Sequence, residues 1–313
     1  MGSEARVDFF PLFRILKDGS VQRCMGTETV PPESGGVPVA SQDITLDATK
    51  GVYVRLYIPT GAEGEKLPVV VYTHGGGFSI ESAASPTYHN YLNLLAKEAK
   101  VICVSVDYRR VPEHRLPIPY DDCFSVLEWL DSDTLHPSIA TKADLGRCFI
   151  AGDSAGGNIV HRLGFMATEK SWRRLCIEGA VLIHPFFDGE DKIHELGPEL
   201  QAMVEFGDGL WKLSLPDGAD KDHPFSNPIG PRSPPLSSLV YRRLLVVVAG
   251  KDMLKYRGKL YYEALKKAGK EAELIIAEEE EHVFHLKDLQ CPNAVLMMKC
   301  ISDFIASTPA IPS

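Results

Sequence analysis

The sequence predicts an α/β protein with a mostly parallel central sheet of about eight strands flanked by helices. Short apolar runs, among them 68–73 (PVVVYT) and 244–249 (LLVVVA), have the composition of strands that are buried on both faces. Segments with helical spacing of apolar residues alternate with these runs along the chain. A chain of 313 residues, 44% of them hydrophobic and 24% charged, is long enough for one large domain of this class.

The first 40 residues differ from the rest of the chain. Residues 9–16 form a cluster of apolar and aromatic side chains, and a Pro- and Gly-rich linker follows at 30–36. Disordered tails rarely contain that many aromatic residues. We therefore expect residues 1–40 to fold over the main body as a cap or lid segment, with residues 41–313 forming the main α/β domain.

From residue 43 onwards the pattern is regular. Alternating and fully apolar runs predict strands at 44–46, 52–58, 68–73, 101–106, 147–151, 179–183, 244–249 and 272–277. Apolar residues at helical spacing predict helices at 88–99, 119–130, 256–268 and 294–305. The alternation breaks at 185–240, which is rich in Pro and Gly and contains Trp211. A long irregular stretch of this kind is typical of an insertion near a functional site.

Composition argues against several classes of partner. The formal net charge of −9 disfavours a surface that binds nucleic acid. No apolar run approaches the ~18 residues of a membrane-spanning helix, and the first residues lack the basic and apolar regions of a secretory signal. We therefore expect neither nucleic acid nor membrane as a partner. The seven cysteines include no C-x-x-C pair, so we expect reduced thiols and a location in the cytoplasm, or also the nucleus.

A candidate nucleophile lies where a predicted strand gives way to a helical pattern. Residues 152–156 (GDSAG) have the pattern G-x-S-x-G. A serine on such a tight turn is held in a strained backbone conformation, with its hydroxyl lifted towards a helix N-terminus that favours negative charge. The motif therefore predicts a nucleophile elbow at Ser154. Taken alone it is also compatible with an ordinary Gly-rich turn between a strand and a helix.

A second glycine motif, 74–78 (HGGGF), directly follows the strand 68–73. Backbone N–H groups can stabilise the oxyanion of a tetrahedral intermediate without reorganising, and glycines let the backbone come close to it. A phosphate-binding loop is the alternative, but the Lys-Ser/Thr that such a loop requires is missing. The predicted oxyanion and substrate-binding residues are Gly75, Gly76, Gly77, Phe78 and Ala155.

The remaining members of a catalytic triad follow later strands. Asp252 comes just after the strand 244–249, where it could hold a histidine in the correct tautomer or simply cap the next helix. His282 follows the last strand, and His285 is its competitor. The chain order Ser154, Asp252, His282 is the order expected with a G-x-S-x-G elbow. Since the sequence shows no metal-ligand spacing, we expect neither a metal nor another cofactor.

These motifs together resemble the plant carboxylesterase family, in the hormone-sensitive-lipase-like branch of the α/β-hydrolases. The resemblance covers nearly the whole chain and depends on 74–78 (HGGGF), 107–109 (DYR), 152–158 (GDSAGGN), 184–187 (HPFF), 249–269 and 282–286 (HVFHL). It implies an α/β-hydrolase fold in which the catalytic domain, 41–313, carries a cap from the N-terminal segment and the insertion at 185–240. It also implies the triad Ser154, Asp252 and His282, with an oxyanion hole formed by the N–H groups of Gly76, Gly77 and Ala155.

The resemblance implies a serine carboxylesterase that acts on esters or lactones of hydrophobic small molecules, as a monomer or homodimer. The passages 184–187 and 209–228 resemble a subgroup that includes esterases of strigolactone-type lactones, so a plant hormone or specialised metabolite is the expected substrate. The family also contains hormone receptors that have lost the histidine, and dehydratases and cyclases with altered triads. A receptor or a lyase is therefore the alternative function, although the presence of both Ser154 and His282 favours hydrolysis.

Two further hypotheses concern the surroundings of the triad. We expect Phe78 and Ile80 to shape the acyl pocket. On the alcohol side we expect aromatic residues, namely Phe9, Phe13, Phe186, Phe187, Trp211 and Phe284. The four glutamates at 278–281 precede His282, and nearby carboxylates would raise the pKa of its imidazole. The alternative is that this run is a solvated face with no effect on the histidine.

Overall fold

The computed structural model describes residues 5–61, 64–191 and 198–307. The chain begins with a small antiparallel sheet of three strands, β1 (Ala5–Phe9), β2 (Phe13–Leu16) and β3 (Val21–Arg23). Phe9 and Phe13 face each other in the register of β1 and β2, and their rings stack with centroids 5.3 Å apart. The aromatic cluster near the N-terminus is therefore folded.

The central sheet has eight strands: β4 (Val39–Asp47), β5 (Val52–Pro59), β6 (Leu67–Thr73), β7 (Ile102–Asp107), β8 (Ala143–Asp153), β9 (Ile177–Ile183), β10 (Arg243–Ala249) and β11 (Glu271–Ala277). Their order in the sheet is β11-β10-β9-β8-β6-β7-β5-β4. β5 runs antiparallel to both β4 and β7, and the other neighbours are parallel. The predicted α/β class with a mostly parallel sheet of about eight strands is confirmed.

The helices are α1 (Pro86–Ala99), α2 (Ile118–Leu130), α3 (Pro137–Ala140), α4 (Ala155–Met166), α5 (Pro198–Ser214), α6 (Lys255–Lys267), α7 (Phe284–Lys287) and α8 (Pro292–Ala306). They cover both faces of the sheet. This is evident because consecutive residues of a central strand, whose side chains point to opposite faces, pack in two different hydrophobic cores. Val71 packs in the core that contains α2, α4 and α6, whereas Tyr72 packs in the core that contains α1 and α8. Of the helices described, none is long and apolar enough to cross a membrane.

The carboxyl ends of the parallel strands carry the predicted motifs. β6 ends at Thr73, just before the HGGGF loop, and β8 ends at Asp153, just before the candidate nucleophile. In open α/β sheets, ligands bind at this edge. The helix α5 of the insertion contacts the N-terminal sheet here, since the rings of Phe206 and Phe9 meet edge to face at 5.5 Å. Trp211 of α5 meets Phe78 of the HGGGF loop edge to face at 5.7 Å, and Arg23 of β3 donates to the carbonyl oxygen of Ser79 at 2.7 Å. Both elements therefore lie beside the predicted site.

Candidate active site

The candidate nucleophile lies on a strained turn. Ser154 has φ 52° and ψ −119°, between the end of β8 and the start of α4. A Cβ on Gly156 would lie 1.9 Å from the carbonyl oxygen of Thr73, and a Cβ on Gly152 would lie 2.5 Å from its Oγ1. The two glycines of the motif are therefore required because the end of β6 passes directly beside the turn. Backbone strain of this kind is concentrated at functional sites.

Three side chains from distant parts of the sequence form one hydrogen-bonded chain. The Nε2 atom of His282 lies 3.0 Å from the Oγ of Ser154, and its Nδ1 atom lies 2.6 Å from Oδ2 of Asp252. The second oxygen of Asp252 accepts the backbone N–H of Leu254 at 2.9 Å. Asp252 is buried, whereas the side chain of His282 is 30% exposed. The structure thus brings together all three residues predicted for the triad.

The electrostatics of this chain favour transfer of a proton to His282. Burial raises the pKa of the Asp252 carboxyl, but the adjacent His282 outweighs it and the net shift is downward. Burial lowers the pKa of His282, but the Asp252 carboxylate and its hydrogen bond outweigh it and raise the pKa above its usual value. An ionised Asp252 therefore fixes the proton of the neutral imidazole on Nδ1 and leaves Nε2 free to accept from the serine.

Three backbone N–H groups beside Ser154 are free to bind an anion. Among the hydrogen bonds of the described residues, none uses the N–H of Gly76, Gly77 or Ala155 as donor. Ala155 is the first residue of α4, so its N–H has no partner within the helix. Gly76 has φ 90°, and a Cβ there would lie 2.6 Å from the carbonyl oxygen of Ile80. This arrangement can hold an oxyanion next to the nucleophile.

The structure corrects the predicted role of Gly75. Its N–H donates to the phenolic oxygen of Tyr88 at 2.8 Å, so it cannot also bind an oxyanion. A Cβ on Gly75 would lie only 2.4 Å from Oδ2 of Asp153. Gly75 therefore supports the loop from behind, and the free donors are on the residues that follow it.

The aromatic residues expected around the substrate fall into two groups. The rings of Phe186 and Trp211 stack with centroids 4.6 Å apart, and Phe78 meets Trp211 edge to face at 5.7 Å. Phe78 is completely buried, so it supports the wall of the site from behind. Phe187 instead packs against Tyr261 of α6, with centroids 4.9 Å apart, and belongs to the core beneath α4 and α6. It is therefore not a substrate contact in this arrangement.

The acidic run before His282 is largely paired away from it. Glu279 forms an ion pair with Lys251 at 3.1 Å, and Glu281 forms one with Lys287 at 2.9 Å. Glu280 accepts the side-chain amide of Asn293 at 2.8 Å. The carboxylates that raise the pKa of His282 are Asp252 and Asp153, outside this run. The structure therefore favours the alternative in which the run is a solvated face.

His184 lies beside the triad and completes the one group of possible metal ligands in the described part of the chain. Atoms of His184, Asp252 and His282 lie within 4.8 Å of one another. The hydrogen bond between His282 and Asp252 already engages two of these side chains. The Nδ1 atom of His184 accepts the N–H of Val283 at 3.0 Å, which fixes the peptide after the catalytic histidine. These contacts indicate that His184 supports the triad through its hydrogen bond to Val283.

Sequence reasoning missed several polar residues that support the site. Asn158 of α4 donates to the carbonyl oxygens of Phe186 and Phe225 at 3.0 and 2.7 Å, and it accepts the hydroxyl of Tyr120 at 2.7 Å. It thus ties the elbow helix to the insertion. Asp153 and its tyrosine partners were also missed. Both Asp153 and Asn158 belong to the motif GDSAGGN, so the sequence contained them. Their hydrogen-bond partners are distant in the sequence and could not be predicted from it.

Comparison with protein families gives two matches. The family described as alpha/beta hydrolase fold matches residues 70–286, and the carboxylesterase family matches residues 22–111. Together these stretches include the glycine loop, the elbow and both remaining members of the hydrogen-bonded triad.

Relatives and solved structures agree with these matches. Tuliposide A-converting enzyme 1 of Tulipa gesneriana, which is chloroplastic, is 42% identical over 97% of this chain and 79% of the tulip enzyme. Probable carboxylesterase 2 of Arabidopsis thaliana is 38% identical over 98% of both chains. An esterase from Pyrobaculum calidifontis has a TM-score of 0.72 at 28% identity, covering 85% of this chain and 84% of the archaeal one.

One prediction is overturned by these relatives. The sequence led us to expect a cytoplasmic or also nuclear location. The tulip enzyme above is chloroplastic, and a further tuliposide A-converting enzyme of the same plant, 40% identical, is amyloplastic. The cytoplasmic prediction is therefore wrong, because reduced cysteines, on which it depended, do not distinguish the cytoplasm from these compartments.

Proposed function

The chain belongs to the α/β-hydrolase fold family, among the plant carboxylesterases, and on this basis we propose that Ser154, His282 and Asp252 hydrolyse esters of small hydrophobic molecules. The chain is a carboxylic ester hydrolase by its family and its relatives. The observation that carries the assignment of the residues is the hydrogen-bonded chain from Ser154 through His282 to Asp252, with bonds of 3.0 and 2.6 Å.

The proposed reaction has two acyl-transfer steps. In the first, the Oγ of Ser154 attacks the ester carbonyl carbon while Nε2 of His282 accepts the serine proton. The imidazolium is stabilised by Asp252 and then gives its proton to the leaving alcohol, so an acyl-enzyme remains. In the second step a water molecule, deprotonated by His282, attacks the acyl carbon. Collapse of that intermediate releases the acid and restores Ser154.

Charge on the carbonyl oxygen develops next to the three free N–H groups. Gly76, Gly77 and Ala155 are the proposed donors, and their orientation is set before substrate binds. Preorganised donors of this kind commonly contribute about 10²–10³ in kcat each. The dipole of α4 adds positive potential at the same point, since its first residue is Ala155.

The proposed substrate is a hydrophobic ester or lactone of a plant metabolite. We expect Phe186, which stacks on the fully buried Trp211, to shape an apolar wall near the triad, and apolar walls of this kind bind apolar ligands. We further propose that residues 1–40 and 185–240 act as a cap, which is supported by the contact between Phe9 and Phe206. A strigolactone-type lactone remains the specific candidate from the resemblance of 184–187 and 209–228. A tuliposide-type ester is the candidate favoured by the tulip relatives.

The test is turnover of a p-nitrophenyl ester together with labelling by a fluorophosphonate probe. We expect labelling at Ser154 alone, and Ser154→Ala should lose at least ~10³-fold in kcat while remaining folded. Tight binding of a hydrophobic hormone without turnover would instead indicate a receptor. Elimination of water or ring closure without ester cleavage would indicate a lyase. The candidate lactone and the candidate ester are then each assayed with the wild type and the Ser154→Ala variant.

A further inference from the structure

The residue directly before the nucleophile carries a second buried carboxylate. Asp153 is the last residue of β8 and is 1% exposed. Its Oδ1 accepts the phenol of Tyr72 at 2.9 Å, and its Oδ2 accepts the phenol of Tyr88 at 2.9 Å. Within residues 5–61, 64–191 and 198–307, no basic side chain forms an ion pair with it. A buried carboxylate without a cationic partner is costly, and such groups are concentrated at functional sites.

We propose that Asp153 is a positioning residue of the reaction. It holds residues 74–78, the loop with the proposed oxyanion donors (the oxyanion loop), through Tyr88, and it stabilises the protonated form of His282. The proposal rests on the triad and oxyanion hole proposed above. Asp153 itself exchanges no proton with the substrate, and the only proton transfers remain those through His282.

The link to the oxyanion loop is a relay of two hydrogen bonds. Tyr88 on α1 donates its single hydroxyl hydrogen to Asp153, so its lone pairs are left to accept the N–H of Gly75 at 2.8 Å. Burial raises the pKa of Tyr88 well above its usual value, and the phenol therefore stays a donor. Because Gly76 and Gly77 follow directly, the position of their N–H groups depends on this bond.

The shape of the loop fits the relay closely. Any side chain on Gly75 would overlap the carboxylate of Asp153, at 2.4 Å from its Oδ2. Tyr108 supports the same peptide from the other side, since its hydroxyl donates to the carbonyl oxygen of His74 at 2.8 Å. Tyr72, by contrast, contacts Asp153 and makes no hydrogen bond to the loop. The two tyrosines on Asp153 thus form a matched pair of which only Tyr88 reaches the oxyanion site.

The second part of the proposal is electrostatic. Burial raises the pKa of Asp153 to about 6, against the opposing effect of its two phenol donors and of His282. Asp153 directly precedes Ser154, whose Oγ lies 3.0 Å from Nε2 of His282. The charge of Asp153 adds to the effect of Asp252 in raising the pKa of His282, whereas Lys287 acts in the opposite direction. Once ionised, Asp153 is therefore a second negative charge that favours the imidazolium formed when the serine attacks.

The test compares Asp153→Asn, Tyr88→Phe and Tyr72→Phe in the full chain, with p-nitrophenyl acetate as substrate. For Asp153→Asn we expect kcat to fall about 10–100-fold with KM within about threefold, and the acidic limb of kcat/KM to move to lower pH. At pH 8.5, Tyr88→Phe should lose about tenfold or more in kcat, whereas Tyr72→Phe should stay within about threefold of the wild type.

Two outcomes would each overturn one part of the proposal. Equal losses for Tyr72→Phe and Tyr88→Phe would overturn the relay and indicate packing alone. An unmoved acidic limb in a folded Asp153→Asn enzyme would overturn the electrostatic part. If Asp153→Asn does not fold, the tyrosine pair still decides the relay. Full activity of Ser154→Ala would instead refute the proposed function itself, independently of these variants.

Discussion

At the residue scale, the elbow is specified by where the neighbouring strand passes. Gly156 faces the backbone of Thr73, and a Cβ there would overlap a carbonyl oxygen that belongs to a buried central strand. Since a backbone atom of a packed sheet cannot move aside cheaply, the glycine is a structural requirement of the catalytic turn. Gly157 is different, because a Cβ there would lie 3.1 Å from Cα of Pro185, which calls for only a small adjustment.

These two neighbours give a matched pair of variants. We expect Gly156→Ala to reduce the free energy of unfolding by about 3–5 kcal/mol, as overpacking against backbone does in the worst cases, and to abolish esterase activity. Gly157→Ala should cost about 1–2 kcal/mol and retain measurable activity. Denaturant unfolding and p-nitrophenyl acetate turnover measure both quantities. Similar stability of the two variants would show that the turn can relax.

The raised pKa of His282 predicts the pH dependence of the enzyme. Its free-base form is the active one, so kcat/KM should fall as the pH drops through a value above 6.5. Asp252→Asn removes the main carboxylate beside it, so the acidic limb of kcat/KM should move to lower pH and kcat should fall by about 10³–10⁴.

The double variant Glu280→Gln/Glu281→Gln should leave the acidic limb of kcat/KM within about 0.2 pH units of the wild type, because solvated ion pairs have little effect on a neighbouring pKa. A larger shift in the double variant would restore the hypothesis that the acidic run tunes the histidine.

At the scale of elements, the N-terminal sheet is bonded to the loop that carries the proposed oxyanion donors. Arg23 of β3 donates its Nε–H to the carbonyl oxygen of Ser79 at 2.7 Å. Its two terminal nitrogens form a bidentate pair with Glu113 at 2.8 and 2.7 Å. One guanidinium therefore joins the N-terminal sheet, the end of the HGGGF loop and the loop after β7. A lysine cannot reproduce this planar fork.

This contact predicts that the N-terminal sheet supports catalysis in addition to its proposed role as part of a cap. Arg23→Lys should lower kcat on a small ester such as p-nitrophenyl acetate by about tenfold, because small displacements of the oxyanion donors are costly. Glu113→Gln keeps the bond to Ser79 and should have a smaller effect. Deletion of residues 1–30 should lower activity further, most on bulky esters. Normal turnover of small and bulky esters by the truncated enzyme would show that the segment is a dispensable tail.

The strands and helices of the main domain could be predicted because each one is specified by the apolar pattern of its own residues. Apolar runs such as 68–73 and 244–249 are buried on both faces of the sheet, as β6 and β10 show. The helix α5 lies within the stretch 185–240, where Gly207 and Gly209 inside the helix and the Pro- and Gly-rich segments around it conceal its helical spacing. The N-terminal strands were expected only as a folded segment, because short antiparallel strands are specified by their pairing more than by their own residues.

At the scale of the whole molecule, the site depends on residues that are far apart in the sequence. The triad could be predicted because each member follows a strand of a parallel sheet, and such strands end at one edge. The relay from Asp153 to Gly75 could not, since it passes through Tyr88 on α1, whose position depends on how that helix packs against the sheet. Sequence patterns thus identify groups at strand ends, while partners supplied by packing need the structure.

The whole molecule also contains histidines that the reaction does not use. Burial lowers the pKa of His74, His161 and His285 to about 3 in each case. They are neutral in the folded state and have a pKa of about 6.5 when unfolded. Between these values the unfolded chain binds protons that the folded chain does not, so stability falls as the pH drops from about 6.5 towards 3. Asp153 opposes this between 3.8 and about 6, because its pKa is raised in the folded state.

His285 allows this acid sensitivity to be tested. Both of its ring nitrogens are buried and have no hydrogen-bond partner among the residues that the structure describes, and its ring meets Tyr91 edge to face at 5.1 Å. His285→Phe keeps the aromatic contact and removes one proton-binding group, so the loss of unfolding free energy below pH 6.5 should become shallower by about 1.4 kcal/mol per pH unit. His161→Phe should give the same slope but also lose stability at pH 8, because the hydroxyl of Tyr261 then loses its 2.8 Å partner. Denaturant titrations at pH 8, 6 and 5 measure both effects, and a wild-type slope in His285→Phe would contradict the assignment of acid sensitivity to buried neutral histidines.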